Sequence, residues 1–159
     1  MSQSLDPKYL RQLIKDTLTP LNLYSADVEE LLMYTSANES HLGFYRLQQP
    51  SHIAKGIFQD EDEDFNDLYA NYLKYHPTLM QQVNALSTVQ PPTPMELVNN
   101  DKFAVVVCRA HYLRSSGSIP HATDLDGIWN YYKIHYNTIK GAATKDGADA
   151  CYKKYVLQQ

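Results

Sequence analysis

The 159-residue chain has few cysteines, no long apolar run and no concentrated positive charge. Each shortage removes a class of protein. Cys108 and Cys151 form neither a CxxC pair nor a metal-ligand spacing, so both read as free thiols in a reducing compartment. The six histidines, at 41, 52, 76, 111, 121 and 135, make no HExxH or paired metal spacing, and none sets up a Cys–His nucleophile with Cys108. No metal and no cofactor is expected. No stretch approaches the ~20 consecutive apolar residues of a membrane helix, so no membrane partner is expected. The segment Met1–Asp16 has no basic-then-apolar signal pattern, so self-export by that route is not expected. The net charge of −4 is unevenly spread. Residues 1–108 carry seven basic and fourteen acidic side chains, and residues 109–159 carry seven and four. Neither half has the basic stripe of a nucleic-acid binder.

With 43% apolar and 20% charged residues, the composition is that of one soluble globular domain over residues 1–159. Thirteen of the eighteen aromatic residues are tyrosine, suited to sugar faces and wet clefts and equally to the rim of a core. Caps and apolar spacing predict a mainly α fold of about seven helices with little or no sheet. Asp6-Pro7 opens a helix with Leu10, Leu13 and Ile14 inside, and Thr19-Pro20 ends it. Ser25 caps a second, with Asp27, Glu29 and Glu30 at its positive dipole end. It runs out near Asn38, leaving Glu39 at its C-terminal edge. Residues 43–59 read as a loop with room for a short hairpin.

The acidic string Asp60–Asp64 reads as the start of a helix carrying Phe65, Leu68, Tyr69, Tyr72 and Leu73. It lacks the ligand alternation and glycine of a calcium loop. His76-Pro77 leads into another helix. Thr93-Pro94-Met95-Glu96 reads as a capping box with proline at its first helical position. Phe103, Val106, Val107, Ala110 and Leu113 mark the central buried helix. Asp124 opens a helix with Leu125, Ile128, Trp129 and Tyr132 on one face. Ala148, Cys151, Tyr152, Tyr155 and Val156 mark the last.

Three separated segments share a chemical logic. Ala37-Asn38-Glu39-Ser40-His41-Leu42-Gly43 puts a carboxylate where a helix stops. Ala54-Lys55-Gly56-Ile57-Phe58-Gln59 is a glycine-pinned apolar turn ending in an amide. His135-Tyr136-Asn137-Thr138 sets polar groups at the end of the tryptophan-bearing helix. A helix end fixes the backbone of a carboxylate that projects into a cleft, and apolar walls hold its proton towards neutral pH.

These segments resemble the lysozyme-like superfamily, nearest to soluble lytic transglycosylases, goose-type lysozymes and related phage-encoded domains. The pattern there is Glu-Ser, then Gly-x-Met/Phe-Gln, then Tyr-Asn. The nearest likeness is to small phage proteins reading Glu-Ser-x-Leu-Gly, Gly-Ile-Phe-Gln, His-Tyr-Leu-Arg and His-Tyr-Asn-Thr. These stand here at Glu39–Gly43, Gly56–Gln59, His111–Arg114 and His135–Thr138, within residues 26–156.

The resemblance implies Glu39 as catalytic acid/base, with Ser40, Phe58, Gln59, Tyr136 and Asn137 at the substrate. Phe58 stands where many relatives have Met. Gly141 comes four residues after Asn137, where the transglycosylase pattern has glycine two after. The resemblance further implies cleavage of the β-1,4 bond between N-acetylmuramic acid and N-acetylglucosamine in peptidoglycan, by a muramidase or a lytic transglycosylase. Hydrolysis is favoured over anhydro-sugar formation, with Asp60 or Glu61 orienting water. A phage origin implies a virion-associated protein acting on the host wall, beside other virion or tail proteins. The alternative is a non-catalytic phage structural or glycan-binding protein on the same fold. From the residues alone, Gly56 is equally a plain turn glycine, and core packing is the alternative for Tyr136. His111 and Arg114 read as braces of the buried helix.

Overall fold

The computed structural model describes residues 3–48, 50–138 and 141–159. The mainly α expectation holds, with eight α-helices and one two-stranded antiparallel ribbon among these residues. α1 (Pro7–Leu18) starts where Asp6 Oδ1 accepts from the Lys8 N–H. α2 (Ala26–Ser40) starts at Ser25, whose hydroxyl accepts from the Val28 N–H. β1 (Ala54–Lys55) pairs with β2 (Asp60–Glu61), and Gly56–Gln59 is the turn between them. The acidic string is therefore split, a correction to its reading as one helix start. Asp60 and Glu61 belong to the hairpin, and only Asp62, Glu63 and Asp64 form the first turn of α3 (Asp62–Asn71). Pairing with residues 54–55 outcompetes the local helix signal.

α4 (Pro77–Ala85) and the short α5 (Glu96–Asn99) follow. The capping box at Thr93 does not form. Glu96 Oε1 instead accepts from the Thr88 backbone N–H and hydroxyl and from the Asn100 amide. α6 (Asp101–Arg114) starts at Asn100, whose Oδ1 accepts from the Phe103 N–H. Residues Phe103 to Cys108 are buried without a break, so α6 is apolar around its circumference and lies in the centre. It packs against α1, α2, α4 and α5. α7 (Leu125–Tyr132) opens on Asp124, whose Oδ1 accepts from the Gly127 N–H, and continues into a π-helical turn, Lys133–Asn137. α8 (Lys145–Tyr155) lies across α2.

α2 is buried along most of its length, from Leu31 to Ala37 without interruption. Its outer contacts are polar. Arg11 of α1 forks onto Glu30 at 2.7 and 3.0 Å, and Tyr152 of α8 donates to the same carboxylate. This three-helix pinning holds the helix that carries Glu39.

Candidate active site

α2 stops because three successive residues, His41, Leu42 and Gly43, take positive φ (52°, 54° and 81°). The His41 and Leu42 N–H groups turn back to the carbonyls of Ala37 and Ser36, satisfying the helix end. Adjacent residues of this last turn have opposite destinations. Ser40 is fully buried; its hydroxyl donates to the Ile57 carbonyl at 2.6 Å and accepts from the Gly43 N–H at 2.7 Å. Ser36, one turn earlier, donates to the same carbonyl at 3.0 Å. Ser40 thus fastens the hairpin to α2 and does not reach the cleft, a correction to its expected place at the substrate.

Glu39 points the other way, into a cleft of ≈ 560 Å³. It is half-buried, and Tyr132 of α7 donates its hydroxyl to Glu39 Oε1 at 2.6 Å. Burial pushes its carboxyl up to about 7; the Tyr132 bond pulls it down, and the nearby charge of Glu61 pushes it further up. A carboxyl poised near neutrality can both give and take a proton.

The hairpin forms one wall. Gly56 takes φ 79°, and a Cβ there would overlap the Leu97 carbonyl oxygen, so the turn needs glycine for both conformation and space. Phe58 is only 2% exposed and packs into the core, so it does not face the cleft as expected. Ile57 and Phe58 are both buried, and only at Gln59, where φ is 49°, does the turn present a side chain to the cleft. The Gln59 amide donates to the Tyr45 and Gly56 carbonyls, both at 2.9 Å. Asp60 is buried against His111 of α6, with Nε2···Oδ2 at 2.9 Å. Glu61 is exposed on the same wall. Asp64 and Asp67 continue the acidic side; burial and then the charge of Asp60 raise the pKa of Asp64, and Arg114 bonds Asp67 at 2.6 Å. His111 ties α6 to the hairpin through Asp60, Arg114 ties it to α3 through Asp67, and both also line the cleft.

The π-helical turn supplies the other wall with His135, Tyr136 and Asn137. The Tyr136 hydroxyl donates to the Phe58 carbonyl at 2.7 Å. Its partner is the hairpin, and the glutamate's partner is Tyr132, from the apolar face of α7. Tyr132 sits four residues before Tyr136, which was the one available signal. Asn137 accepts from Lys133 Nζ at 2.8 Å. Gly141 packs so closely that a Cβ would overlap the Asn137 side-chain and backbone oxygens, so this glycine serves Asn137 despite its altered spacing.

Of the expected site residues, the fold gathers Glu39, Gln59, Asp60, Glu61, Tyr136 and Asn137 around one cleft and leaves Ser40 and Phe58 behind it. Among the described residues no group of three or more His, Cys, Asp or Glu is placed to hold a metal ion, and no helix is long and apolar enough to cross a membrane. No protein-family model matches the chain, and no curated protein or solved structure matches it either.

Proposed function

We propose that the chain is a peptidoglycan glycosidase of lysozyme-like type, cleaving the β-1,4 bond between N-acetylmuramic acid and N-acetylglucosamine. The observation that carries this reading is Glu39: a carboxyl held near neutral pH by burial, bonded by Tyr132, and opening onto a polar cleft. Support also comes from the convergence on that cleft of the three segments on which the family likeness rests.

In this reading protonated Glu39 gives its proton to the glycosidic oxygen as the bond to the sugar's anomeric carbon breaks. The Tyr132 hydroxyl then stabilises the carboxylate left behind. In the second step Glu39 takes a proton from the attacking group. Hydrolysis is favoured, with Glu61 orienting the water, because Glu61 is exposed at the cleft whereas Asp60 is engaged by His111. Attack by the sugar's own 6-hydroxyl would give an anhydro product instead. The protein reaches the wall carried by a virion, beside other virion or tail proteins, with the glycan strand as its substrate.

Purified peptidoglycan digested with the protein should release muropeptides with reducing-end muramic acid, as read by mass spectrometry. Anhydro ends, lighter by one water, would move the second step to the 6-hydroxyl and leave Glu39 in its role. Glu39→Gln is nearly isosteric but has no proton to give, and should lower release by at least ~10²-fold. Retention of the wall without any release by the native protein would replace the enzyme with a glycan-binding protein.

A further inference from the structure

We infer that Lys55 and His111 are positioning residues for Glu61, each acting through an aspartate next to it in sequence, Lys55 through Asp62 and His111 through Asp60. The role of Glu61 in orienting water rests on the glycosidase reading; the holding of Glu61 does not.

Asp60, Glu61 and Asp62 are consecutive, and their side chains have different fates. Asp60 is buried, and its Oδ2 lies 2.9 Å from His111 Nε2 on α6. Asp62 Oδ1 accepts from Lys55 Nζ on β1 at 2.5 Å. Between them the Glu61 carboxylate lines the cleft and has no hydrogen-bond or ion-pair partner among the described residues. Glu61 stands at the N-cap of α3, yet its side chain makes no capping bond. Both holding groups are themselves fixed. The Lys55 side chain is only 7% exposed and also donates to the His52 and Ile53 carbonyls at 3.0 and 3.3 Å. The His111 ring stands edge-on to that of Tyr136, with centroids 6.2 Å apart. The backbone is therefore tied down on each side of Glu61, and its Cα is opposite Ala54 in the hairpin register.

Electrostatics explains why such ties are needed. Glu39, Asp60, Asp64 and Asp67 line the same cleft as Glu61. Arg114 offsets Asp67 and His111 offsets Asp60, which leaves Glu61 beside Glu39 and Asp64 without a cation of its own. Like charges repel, so a loosened strand would let the Glu61 carboxylate swing out to water. The charge of Glu61 acts on Glu39, which makes that carboxyl a reporter of where Glu61 stands. The other groups beside Glu39 are Tyr132 on α7, Cys108 and Tyr112 on α6, and Tyr136 on the π-helical turn, none of them a carboxylate.

The test is a carbon-13 NMR titration of the Glu39 carboxyl in protein labelled at glutamate, with the resonance assigned by its loss in Glu39→Gln. Glu61→Gln should lower the Glu39 pKa by about 0.3–0.5, the full effect of the charge. Lys55→Met should lower it too. Losing a cation would by itself raise a carboxyl's pKa, so a fall marks Glu61 moving away. In the Glu61→Gln background Lys55→Met should produce no further fall. His111→Ala should also lower the Glu39 pKa, and His111→Gln, which keeps a donor for Asp60, should titrate like the native protein. The inference is overturned by a Glu39 pKa that does not fall in Lys55→Met, or by His111→Ala and His111→Gln titrating alike. If Lys55→Met loses its circular dichroism, Lys55→Gln carries the same comparison, since it removes the charge and keeps a donor for the His52 and Ile53 carbonyls. On peptidoglycan, Glu61→Gln and Lys55→Met should both raise the share of anhydro ends, a ratio that does not depend on how much protein is folded. A raised share in Glu61→Gln beside a native share in Lys55→Met overturns the inference equally. The titration needs no substrate. A protein that leaves cell walls intact yet shows these shifts would refute the glycosidase reading and keep the positioning; one that cleaves walls without them would do the reverse.

Discussion

The Tyr136 hydroxyl meets the Phe58 backbone carbonyl at 2.7 Å, joining the π-helical turn to the hairpin behind the cleft surface. The family resemblance puts Tyr136 at the substrate, where loss of its hydroxyl would cost activity before stability. The bond to Phe58 reverses that order. Tyr136→Phe should lower unfolding free energy by ~1 kcal/mol, the usual net worth of one such hydrogen bond. The Glu39 titration should stay where it is. Urea denaturation beside the NMR titration decides it: a moved Glu39 pKa with unchanged stability would return the hydroxyl to the glutamate.

Tyr132→Phe should do what Tyr136→Phe does not. It removes the 2.6 Å donor to Glu39 and keeps the ring in its packing. Hydrogen bonds to a charged group contribute ~1.5–3 kcal/mol, so the Glu39 pKa should rise by about 1–2. In the proposed mechanism Glu39 works as general acid only while protonated, so wall cleavage by the native protein should fall as pH rises through about 7. In Tyr132→Phe that alkaline limb should move to higher pH. A limb that stays in place would separate Tyr132 from the acid.

Glu39 also ties stability to pH. Its carboxyl titrates at about 7 in the fold and near 4.5 in the unfolded chain. Below 4.5 both states hold the proton and nothing depends on pH. Between 4.5 and 7 the unfolded chain releases a proton that the folded chain keeps, so stability falls as pH rises. Above 7 the loss is complete, at up to about 3 kcal/mol. Glu39→Gln should lack this slope, matching the native protein in acid and exceeding it in alkali. Urea denaturation of both proteins on either side of the window checks the sign.

Two glycines with similar backbones offer a controlled comparison. Gly56 and Gly117 take φ of 79° and 87°, but a Cβ at Gly56 would overlap the Leu97 carbonyl and one at Gly117 would meet nothing within 4 Å. Gly117→Ala should cost ~1–2 kcal/mol, the left-handed penalty alone. Gly56→Ala should cost more, ~3 kcal/mol or above, because the hairpin must also move off α5. Equal losses in thermal denaturation would show that the hairpin yields freely.

What was legible along the chain was local. Asp6, Ser25 and Asp124 cap helices where they stand, because each hydroxyl or carboxylate meets an N–H two or three residues on. The uninterrupted apolar run of α6 identified the centre for the same reason. Misreadings came from distant competitors. Glu96 was taken by Thr88 and Asn100, and Asp60 by the pairing with β1 and by His111. The place of Glu39 in the last turn of α2 was legible because a helix end is a local event, whereas the role given to it comes from the family likeness. Tyr132 was missed because a period of 3.6 residues places it among the buried ring of α7, and the change to a π-helical turn just beyond it leaves no mark in the residue types.

Two serine hydroxyls from one turn of α2 converge on the carbonyl of Ile57, while a single tyrosine hydroxyl from the opposite wall holds that of Phe58. The end of α2 that carries Glu39 and the hairpin are therefore tied together, referenced to the same few atoms of backbone. The far wall is moored to them by two tyrosine hydroxyls, Tyr136 on the Phe58 carbonyl and Tyr132 on Glu39 itself. A ligand wider than the cleft at rest would be accommodated at the π-helical wall only by loosening these two bonds, so widening the cleft and unpairing Glu39 are one event.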